Sequence, residues 1–336
     1  MNSKDTNQSR VRYKRTLASF GAFVVAMMGV STGVGNYFVN YALVPQQGGN
    51  ERQVDVGLQT SQEMERIQAH RQQHIVQRDK WLKSVARIQQ PVQIQSNDGL
   101  TLSGHLFEQL EATNQWIIIV HGYQSTEEEG LLIAPHFYEK GYNILSIQQR
   151  AHQQSEGQFI TMGVKEKEDL LSWTRWLVDY DPASEIIWHG TSMGAATVMM
   201  AAPDAPTQVY GIIEDCGYTT AWDIFSSELQ ARFKLPSFPI LNLSNMVAKV
   251  RADVDFKKAS AIDGVRRTAI PILFIHGAAD DFVPEWMARE LYNAKTNGMK
   301  ELYIVPQAGH AEAKFKDGSQ YYDRIDQFIT KARKEY

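Results

Sequence analysis

Disulfides are excluded, because the chain has a single cysteine, Cys216. This residue follows the apolar run 211–215, so it is interpreted as a buried structural thiol rather than as a nucleophile. The formal net charge of −4 provides no strongly basic field, and no nucleic-acid motif is present. Nucleic acid is therefore not expected as a partner. The lack of disulfides leaves the cellular compartment open.

Charge is absent from residues 16–35, which are largely apolar. Their length of 20 residues matches the roughly 20 needed to span a bilayer core and exceeds a usual signal-peptide core. No clear Ala-x-Ala cleavage site follows. Basic residues precede this segment and aromatic residues suited to a membrane interface follow it: Arg10, Arg12, Lys14 and Arg15, then Tyr37, Phe38 and Tyr41. The segment predicts an uncleaved signal anchor, with a cleaved signal peptide or a buried soluble helix as alternatives.

The basic cluster predicts that the N-terminus lies inside the cell and the remainder outside. Residues 1–15 would be a cytoplasmic tail, 16–44 the transmembrane anchor with its interfacial segment, and 45–90 a linker with a surface or stalk helix. Apolar residues recur there at roughly helical spacing, at Leu58, Ile67, Ile75, Leu82 and Val85. We expect a single-pass protein of the cell membrane with an extracytoplasmic domain, or a secreted protein if the anchor is cleaved.

Residues 91–336 have the pattern of an α/β domain. Alternating residues at 92–95 and 100–107 flank an Asn97-Asp98-Gly99 turn, which predicts a β-hairpin. Short apolar runs typical of strands buried on both faces follow, at 116–120, 142–147, 185–188, 209–213, 270–275 and 302–305. Helix-length segments separate them, one of them marked by Leu170, Trp173 and Leu177. The pattern predicts a doubly wound, mostly parallel sheet.

A longer insertion interrupts this alternation at about residues 219–261. It contains two possible helices, at 221–233 and 243–250, on either side of a segment with two prolines. Because long insertions of this kind are often functional, we interpret it as a small helical cap over the sheet edge.

The candidate nucleophile is Ser192, in Gly190-Thr191-Ser192-Met193-Gly194. A strand precedes this pentapeptide and a helix that starts with small residues follows it, which is the context of a nucleophile elbow. The bare G-x-S-x-G pattern arises by chance in roughly a tenth of chains of this length and composition. The strand and helix around it, and an acid and a base later in the chain, make the assignment specific.

The acid and the base follow in the order that the motif requires. Asp280, in the loop after the run 270–275, is favoured as the acid, because it precedes Phe282 by the usual interval in such loops. Asp281 and Asp215 are the alternatives. His310, in the loop after the last predicted strand, is the candidate base.

An oxyanion hole needs two preorganised N–H donors. The backbone of Met193, directly after the nucleophile, is one candidate, and Tyr123, in the loop His121-Gly122-Tyr123, is the other. A glycine turn without a catalytic role is the alternative for this loop. The proposed chemistry implies no metal and no organic cofactor.

These residues resemble the α/β-hydrolase superfamily, and more closely its membrane-anchored or secreted bacterial branch, related to serine esterases and prolyl-oligopeptidase-like hydrolases. The resemblance covers about residues 90–336 and implies the fold and the Ser-His-Asp triad. It rests on His121-Gly122, Gln149-Arg150 through Ser155-Glu156-Gly157, Gly163 with Glu166 and Asp169, Gly190 to Gly194, Asp215-Cys216-Gly217-Tyr218, His276-Gly277 with Asp280, and Gly309-His310.

One turn departs from the family pattern Asp-x-Arg-Gly-x-Gly-x-Ser. Here Gln148 replaces the aspartate and both glycines are missing, whereas Arg150 and Ser155 are retained. The departure puts the geometry of this loop in doubt but leaves the triad intact. Arg150 is interpreted as a structural hub of ion pairs and hydrogen bonds, with contact to a substrate carboxylate as the alternative.

The intact triad predicts a serine hydrolase that acts by acyl transfer. Carboxylic esters are the favoured substrates, and a peptidase or amidase of the serine aminopeptidase type is the alternative. The partner would thus be a small ester or a short peptide. An inactive surface binding protein is the alternative of another class.

Overall fold

The structure is a computed structural model that describes residues 29, 31–45 and 60–336. Its centre is an eight-stranded sheet in the order β1-β2-β4-β3-β5-β6-β7-β8. β2 pairs antiparallel with β1 and β4, and the remaining neighbours are parallel. The strands are β1 (Gln89–Gln95), β2 (Thr101–Phe107), β3 (Gln115–Val120), β4 (Asn143–Ile147), β5 (Glu185–Thr191), β6 (Val209–Asp215), β7 (Ile272–Gly277) and β8 (Lys300–Val305).

Helices connect the parallel strands and cover both faces of the sheet. The first described helix, α1, contains residues 31–43. The others are α2 (Ser61–Val85), α3 (Glu127–Gly130), α4 (Ala134–Glu139), α5 (Glu166–Tyr180), α6 (Met193–Ala201), α7 (Ala221–Phe233), α8 (Ile240–Arg251), α9 (Ala261–Arg267), α10 (Trp286–Ala294), α11 (Ala313–Lys316) and α12 (Gly318–Glu335).

Successive residues of the central strands enter two different apolar layers. Trp116 and Ile118 of β3 belong to the same buried cluster as Trp173 of α5. Ile117 belongs to the cluster on the opposite face, with Phe328 of α12. Because neighbouring side chains of a strand point to opposite faces, a strand that is apolar throughout needs cover on both sides. The predicted doubly wound, mostly parallel sheet is therefore confirmed, as is the hairpin, which forms β1 and β2.

The segment expected to form a cap contains α7 and α8. The side chain of Thr220 caps the start of α7 by accepting a hydrogen bond from the Asp223 N–H. Thr220 also forms an isolated β-bridge with Ser260, which joins the two ends of the insertion. α9 has a different position, because Gly264 lies so close to the backbone of Met199 in α6 that a Cβ there would clash. This helix belongs to the layer that covers the sheet.

α1 packs against the cap. Its residues Val39 and Leu43 are completely buried, and Arg251 of α8 donates hydrogen bonds to Asn36 and Asn40 at 2.9 and 2.7 Å. Most of the predicted membrane span, residues 16–28 and 30, lies outside the described residues. Within residues 29, 31–45 and 60–336, no helix is long and apolar enough to cross a membrane.

The helix predicted after the linker is present as α2, but it packs along the domain instead of forming a separate stalk. Trp81 and Val85 are buried in the same cluster as Phe107 of β2, and the Trp81 and Phe107 ring centroids are 4.9 Å apart. Ile67 packs against Phe315 of α11. The helical spacing indicates one apolar face correctly, but it does not identify the surface that this face contacts.

Trp81→Ala should lower the free energy of unfolding by about 3–5 kcal/mol, because it leaves a cavity between α2 and the sheet. Val76→Ala, on the exposed side of the same helix with 58% of the side chain accessible, should change it by less than about 0.5 kcal/mol. Urea unfolding of both variants measures the difference. Equal and small effects would mean that α2 is a free stalk.

Candidate active site

Ser192 lies in a sharp turn between β5 and α6, with φ 56° and ψ −116°. A non-glycine residue rarely adopts this backbone conformation. The two flanking glycines permit it, because a Cβ on Gly190 would lie 2.3 Å from the Gly194 carbonyl oxygen, and one on Gly194 would lie 2.1 Å from the Val120 oxygen. The Ser192 N–H donates to the Asp215 oxygen at 2.7 Å, which fixes the turn to β6. The serine is thus held at the carboxyl end of the sheet.

The structure brings the three predicted triad residues together. The Ser192 hydroxyl lies 2.8 Å from Nε2 of His310, and the Nδ1 atom of the same ring lies 2.7 Å from Oδ2 of Asp280. Asp280 follows β7 and His310 follows β8, so both loops leave the same edge of the sheet as the serine. Asp215, one of the alternative acids, instead accepts a hydrogen bond from the buried Tyr321 hydroxyl at 2.9 Å.

Asp280 is buried and remains an anion. Burial would raise its pKa, but the charge and hydrogen bonds of His310 and His276 outweigh that effect and hold the pKa well below its usual range. Its Oδ1 atom accepts two further hydrogen bonds, from the N–H groups of Phe282 and Val283 at 2.9 and 2.8 Å. This carboxylate can therefore orient the His310 ring and stabilise its charged form.

His276 is a contact of the acid that the sequence did not assign to the site. Its Nε2 atom lies 2.7 Å from the Val283 oxygen and 3.3 Å from Oδ2 of Asp280. Burial would lower its pKa, but the hydrogen bond and charge of Asp280 raise it to about 9. In the sequence, the position of His276 at the end of a strand, four residues before Asp280, could have indicated this contact.

The loop with Tyr123 passes beside the nucleophile, as the predicted oxyanion hole requires. A Cβ on Gly122 would lie 3.4 Å from Cβ of Ser192. On the other side of the serine, Met193 is the first residue of α6, where backbone N–H groups and the helix dipole favour negative charge. Met193 thus follows Ser192 directly and the glycine before Tyr123 lies beside it, and the role of the two N–H groups as oxyanion donors stays a prediction.

Gln149 and His121 hold this loop in place. The Gln149 amide donates to the His121 carbonyl at 2.5 Å, and the Gln149 backbone N–H donates to Nε2 of His121 at 3.1 Å. Because Nε2 accepts, the proton lies on Nδ1, which donates to the Gly122 oxygen at 2.9 Å. Burial lowers the pKa of His121 to about 3, so the ring stays neutral. Gln149 belongs to one of the motifs that carry the family resemblance, but that motif does not predict this contact.

Arg150 is the structural hub that was predicted. Its guanidinium makes two hydrogen bonds to each of two carboxylates, Asp98 at 2.9 and 3.0 Å and Asp169 at 2.6 and 2.7 Å. These contacts tie the β1–β2 turn and α5 to the segment after β4. The departure from the family motif therefore leaves this anchor of the loop intact.

A cavity of about 430 Å³ opens onto Ser192 and His310. Most of its lining is apolar, and it comes from α1, the cap and the loops around the triad, with Phe38, Tyr123, Ile224, Leu229, Phe233 and Phe282 among the residues. One ion pair also lies there, with Arg232 Nε 2.6 Å from the Glu228 carboxylate. Such a cavity suits a small, largely apolar ligand.

Cys216, Asp280 and His310 place possible metal-binding atoms within 4.8 Å of one another. However, Asp280 and His310 are hydrogen-bonded to each other. Burial raises the pKa of Cys216 far above its usual value, so the thiol stays protonated, and a protonated thiol is a poor ligand. The predicted buried structural thiol is confirmed, and the donor set fits a triad better than a metal centre.

Serine, acid and base reach one edge of a mostly parallel sheet in the chain order that this fold requires. The class is therefore a serine hydrolase with the α/β-hydrolase fold. Residues 137–335 match the prolyl oligopeptidase family, and the chain belongs to that family.

Similar proteins occur in bacteria, fungi and archaea. The chain is 30% identical to the uncharacterized protein YqkD of Bacillus subtilis over 65% of its length and 72% of that protein. It is 22% identical to the uncharacterized membrane protein YNL320W of Saccharomyces cerevisiae, over 59% of this chain and 65% of that one. The Pyrococcus furiosus esterase Pf2001 has a similar fold, with a TM-score of 0.62 at 22% identity, over 74% of this chain and 93% of that one.

The two neighbouring aspartates can be distinguished by substitution. Asp280→Asn should lower kcat by about 10⁴, because the amide favours the wrong tautomer of His310. Asp281→Asn should retain activity within about tenfold, because Asp280 still supplies the carboxylate that orients His310. Steady-state hydrolysis of a p-nitrophenyl ester measures both, with circular dichroism as the control for folding. The reverse order of effects would assign the acid to Asp281.

Proposed function

We propose that this protein hydrolyses carboxylic esters by two-step acyl transfer. The observation that carries the proposal is the direct contact between Ser192 and His310, which both line a mostly apolar cavity. An acyl group can fill such a cavity with its ester carbonyl beside the serine. The name of the similar Pyrococcus structure, an esterase, agrees with this choice of substrate.

In the proposed mechanism, Nε2 of His310 takes the Ser192 proton as Oγ attacks the ester carbonyl carbon. The N–H groups of Met193 and Tyr123 stabilise the oxyanion, and Asp280 stabilises the imidazolium. His310 then protonates the leaving alkoxide, so the alcohol departs and an acyl-serine remains. Water, deprotonated by His310, attacks this acyl group and releases the carboxylic acid and the free serine.

The cavity lining favours esters over peptides. A peptide would bring amide groups that lose their water on binding, and each unpaired amide costs free energy. Two charged residues of the lining, Arg232 and Glu228, neutralise each other, and the carboxylates Asp281 and Glu312 also lie in it. Membership of the prolyl oligopeptidase family favours the alternative, a peptidase or amidase.

Esters and amides can be compared directly on the full-length protein. We expect turnover of p-nitrophenyl esters and little or no turnover of aminoacyl p-nitroanilides, because the cavity provides few partners for amide groups. Ser192→Ala is the control and should abolish both the turnover and labelling by a fluorophosphonate probe. Turnover of the anilides alone would assign a peptidase. No turnover and no labelling of folded protein would indicate an inactive binding protein.

We also propose that residues 16–35 anchor the protein in the cell membrane, with the hydrolase domain outside the cytoplasm. The support is the uncharged, largely apolar sequence of this segment and the basic residues before it. The yeast relative YNL320W is itself described as a membrane protein.

Membrane fractionation of cells that express the chain tests this location. The protein should stay in the membrane pellet after alkaline carbonate extraction, because a spanning helix is held by the bilayer core and not by surface charge. Added protease should digest the hydrolase domain in spheroplasts. A variant lacking residues 1–35 should lose the pellet association. A full-length protein that is extracted by carbonate would overturn the proposal.

A further inference from the structure

α1 contributes directly to the cavity above Ser192. Phe38, Tyr41 and Ala42 all line it. The sequence suggested that two of these residues, Phe38 and Tyr41, form an interfacial belt after a membrane span. The structure places both residues in the same cavity lining as the nucleophile.

Hydrogen bonds and burial fix this position of α1. The Tyr123 hydroxyl donates to the Ala42 oxygen at 3.0 Å, and the Ile160 N–H donates to the Leu43 oxygen at 2.7 Å. These two bonds use carbonyl groups at the end of α1 that its own helix does not satisfy. Tyr123 is also a predicted oxyanion donor, so α1 is attached to the catalytic loop itself.

The pocket side of α1 is aromatic and faces the cap. Phe38 and Tyr41 pack against Phe233 of α7, with ring centroids 5.2 and 5.4 Å apart and nearly perpendicular ring planes. Arg232 donates to the Tyr41 hydroxyl at 2.9 Å, which satisfies that polar group. With this hydroxyl paired, the part of α1 that borders the cavity is mainly carbon.

We propose that α1 is one wall of an acyl-binding pocket, and that the substrates are esters of medium to long acyl chains. This inference rests on the proposed ester hydrolysis at Ser192. A cavity of about 430 Å³ with a mostly apolar surface has room for several methylene groups. Each methylene that enters the pocket should raise kcat/KM by about fourfold.

The proposal also links substrate choice to the proposed anchor. The last residue of the predicted span, Gly35, already lies in α1, only three positions before Phe38. At 1.5 Å per helical residue, the pocket wall begins about 5 Å along the axis from the end of that span. Esters with a long acyl chain are concentrated at lipid surfaces, so an enzyme that is anchored there meets this class of substrate.

Two substitutions on α1 should move chain-length selectivity in opposite directions. Ala42→Phe places a ring in the cavity. We expect kcat/KM for the laurate ester, divided by kcat/KM for the butyrate ester, to fall at least tenfold. Phe38→Ala widens the cavity and should shift the preferred acyl chain to a greater length. A p-nitrophenyl ester series from acetate to palmitate, at monomeric substrate concentrations with full-length protein in detergent, measures both effects.

Thr32→Ala is the control for Phe38→Ala. Thr32 lies on the same helix, but it is exposed and does not line the cavity. This substitution should leave the ratio of kcat/KM between the laurate and butyrate esters unchanged. Because each ratio is taken within one protein preparation, a fraction of unfolded enzyme cancels from it.

Labelling rates with short and long alkyl fluorophosphonates separate this inference from the proposed function. If no ester is turned over but Ala42→Phe still slows labelling by the long probe more than by the short one, the pocket is correct and the ester reaction is not. If esters are turned over and both pocket variants keep the wild-type ratios, the role of α1 is wrong. A change in Thr32→Ala equal to that in Phe38→Ala would also overturn it.

Discussion

The backbone of Ser192 adopts a conformation that costs free energy in a non-glycine residue, and the site depends on how the sheet supports it. Gly190 and Gly194 let β5, α6 and the end of β3 approach closely enough to hold the turn. The turn projects the Ser192 hydroxyl beyond the carboxyl edge of the sheet. Because β5, β7 and β8 are parallel, the loops with Asp280 and His310 leave the sheet at the same edge. The triad is a consequence of this topology.

Charge in the site is controlled by burial together with hydrogen bonding. An isolated carboxylate buried as completely as Asp280 would be protonated, and it would then no longer stabilise the His310 imidazolium. Two histidines and two backbone N–H groups keep it ionised. Burial has the opposite outcome at Cys216, where no comparable set of donors offsets it and the thiol stays neutral. The same low-polarity environment thus produces one charged group and one neutral group.

The sequence predicted the features that local patterns determine. Continuous apolar runs identify the buried strands, and the order Ser192, Asp280, His310 identifies the triad, which the structure brings together. Features that depend on tertiary contacts were missed. A helix with Trp81 and Val85 on one face must pack somewhere, but its pattern does not name the partner. Phe38 and Tyr41 suit a membrane interface or an aromatic pocket wall equally well, because both environments offer apolar surface to a ring and a partner to the Tyr41 hydroxyl.

The family match covers most of the candidate pocket but not all of it. Residues 137–335 contain the triad, the cap and most of the lining, whereas Phe38, Ala42 and Tyr123 lie before them. The shared part supplies acyl transfer, which serves both esters and amides. In the proposed function, α1 adds to the pocket that this part already forms, and one fold commonly hosts several activities in this way. α1 follows an apolar segment and lines the pocket. It would therefore give this chain a selectivity for acyl groups that its family membership alone does not predict.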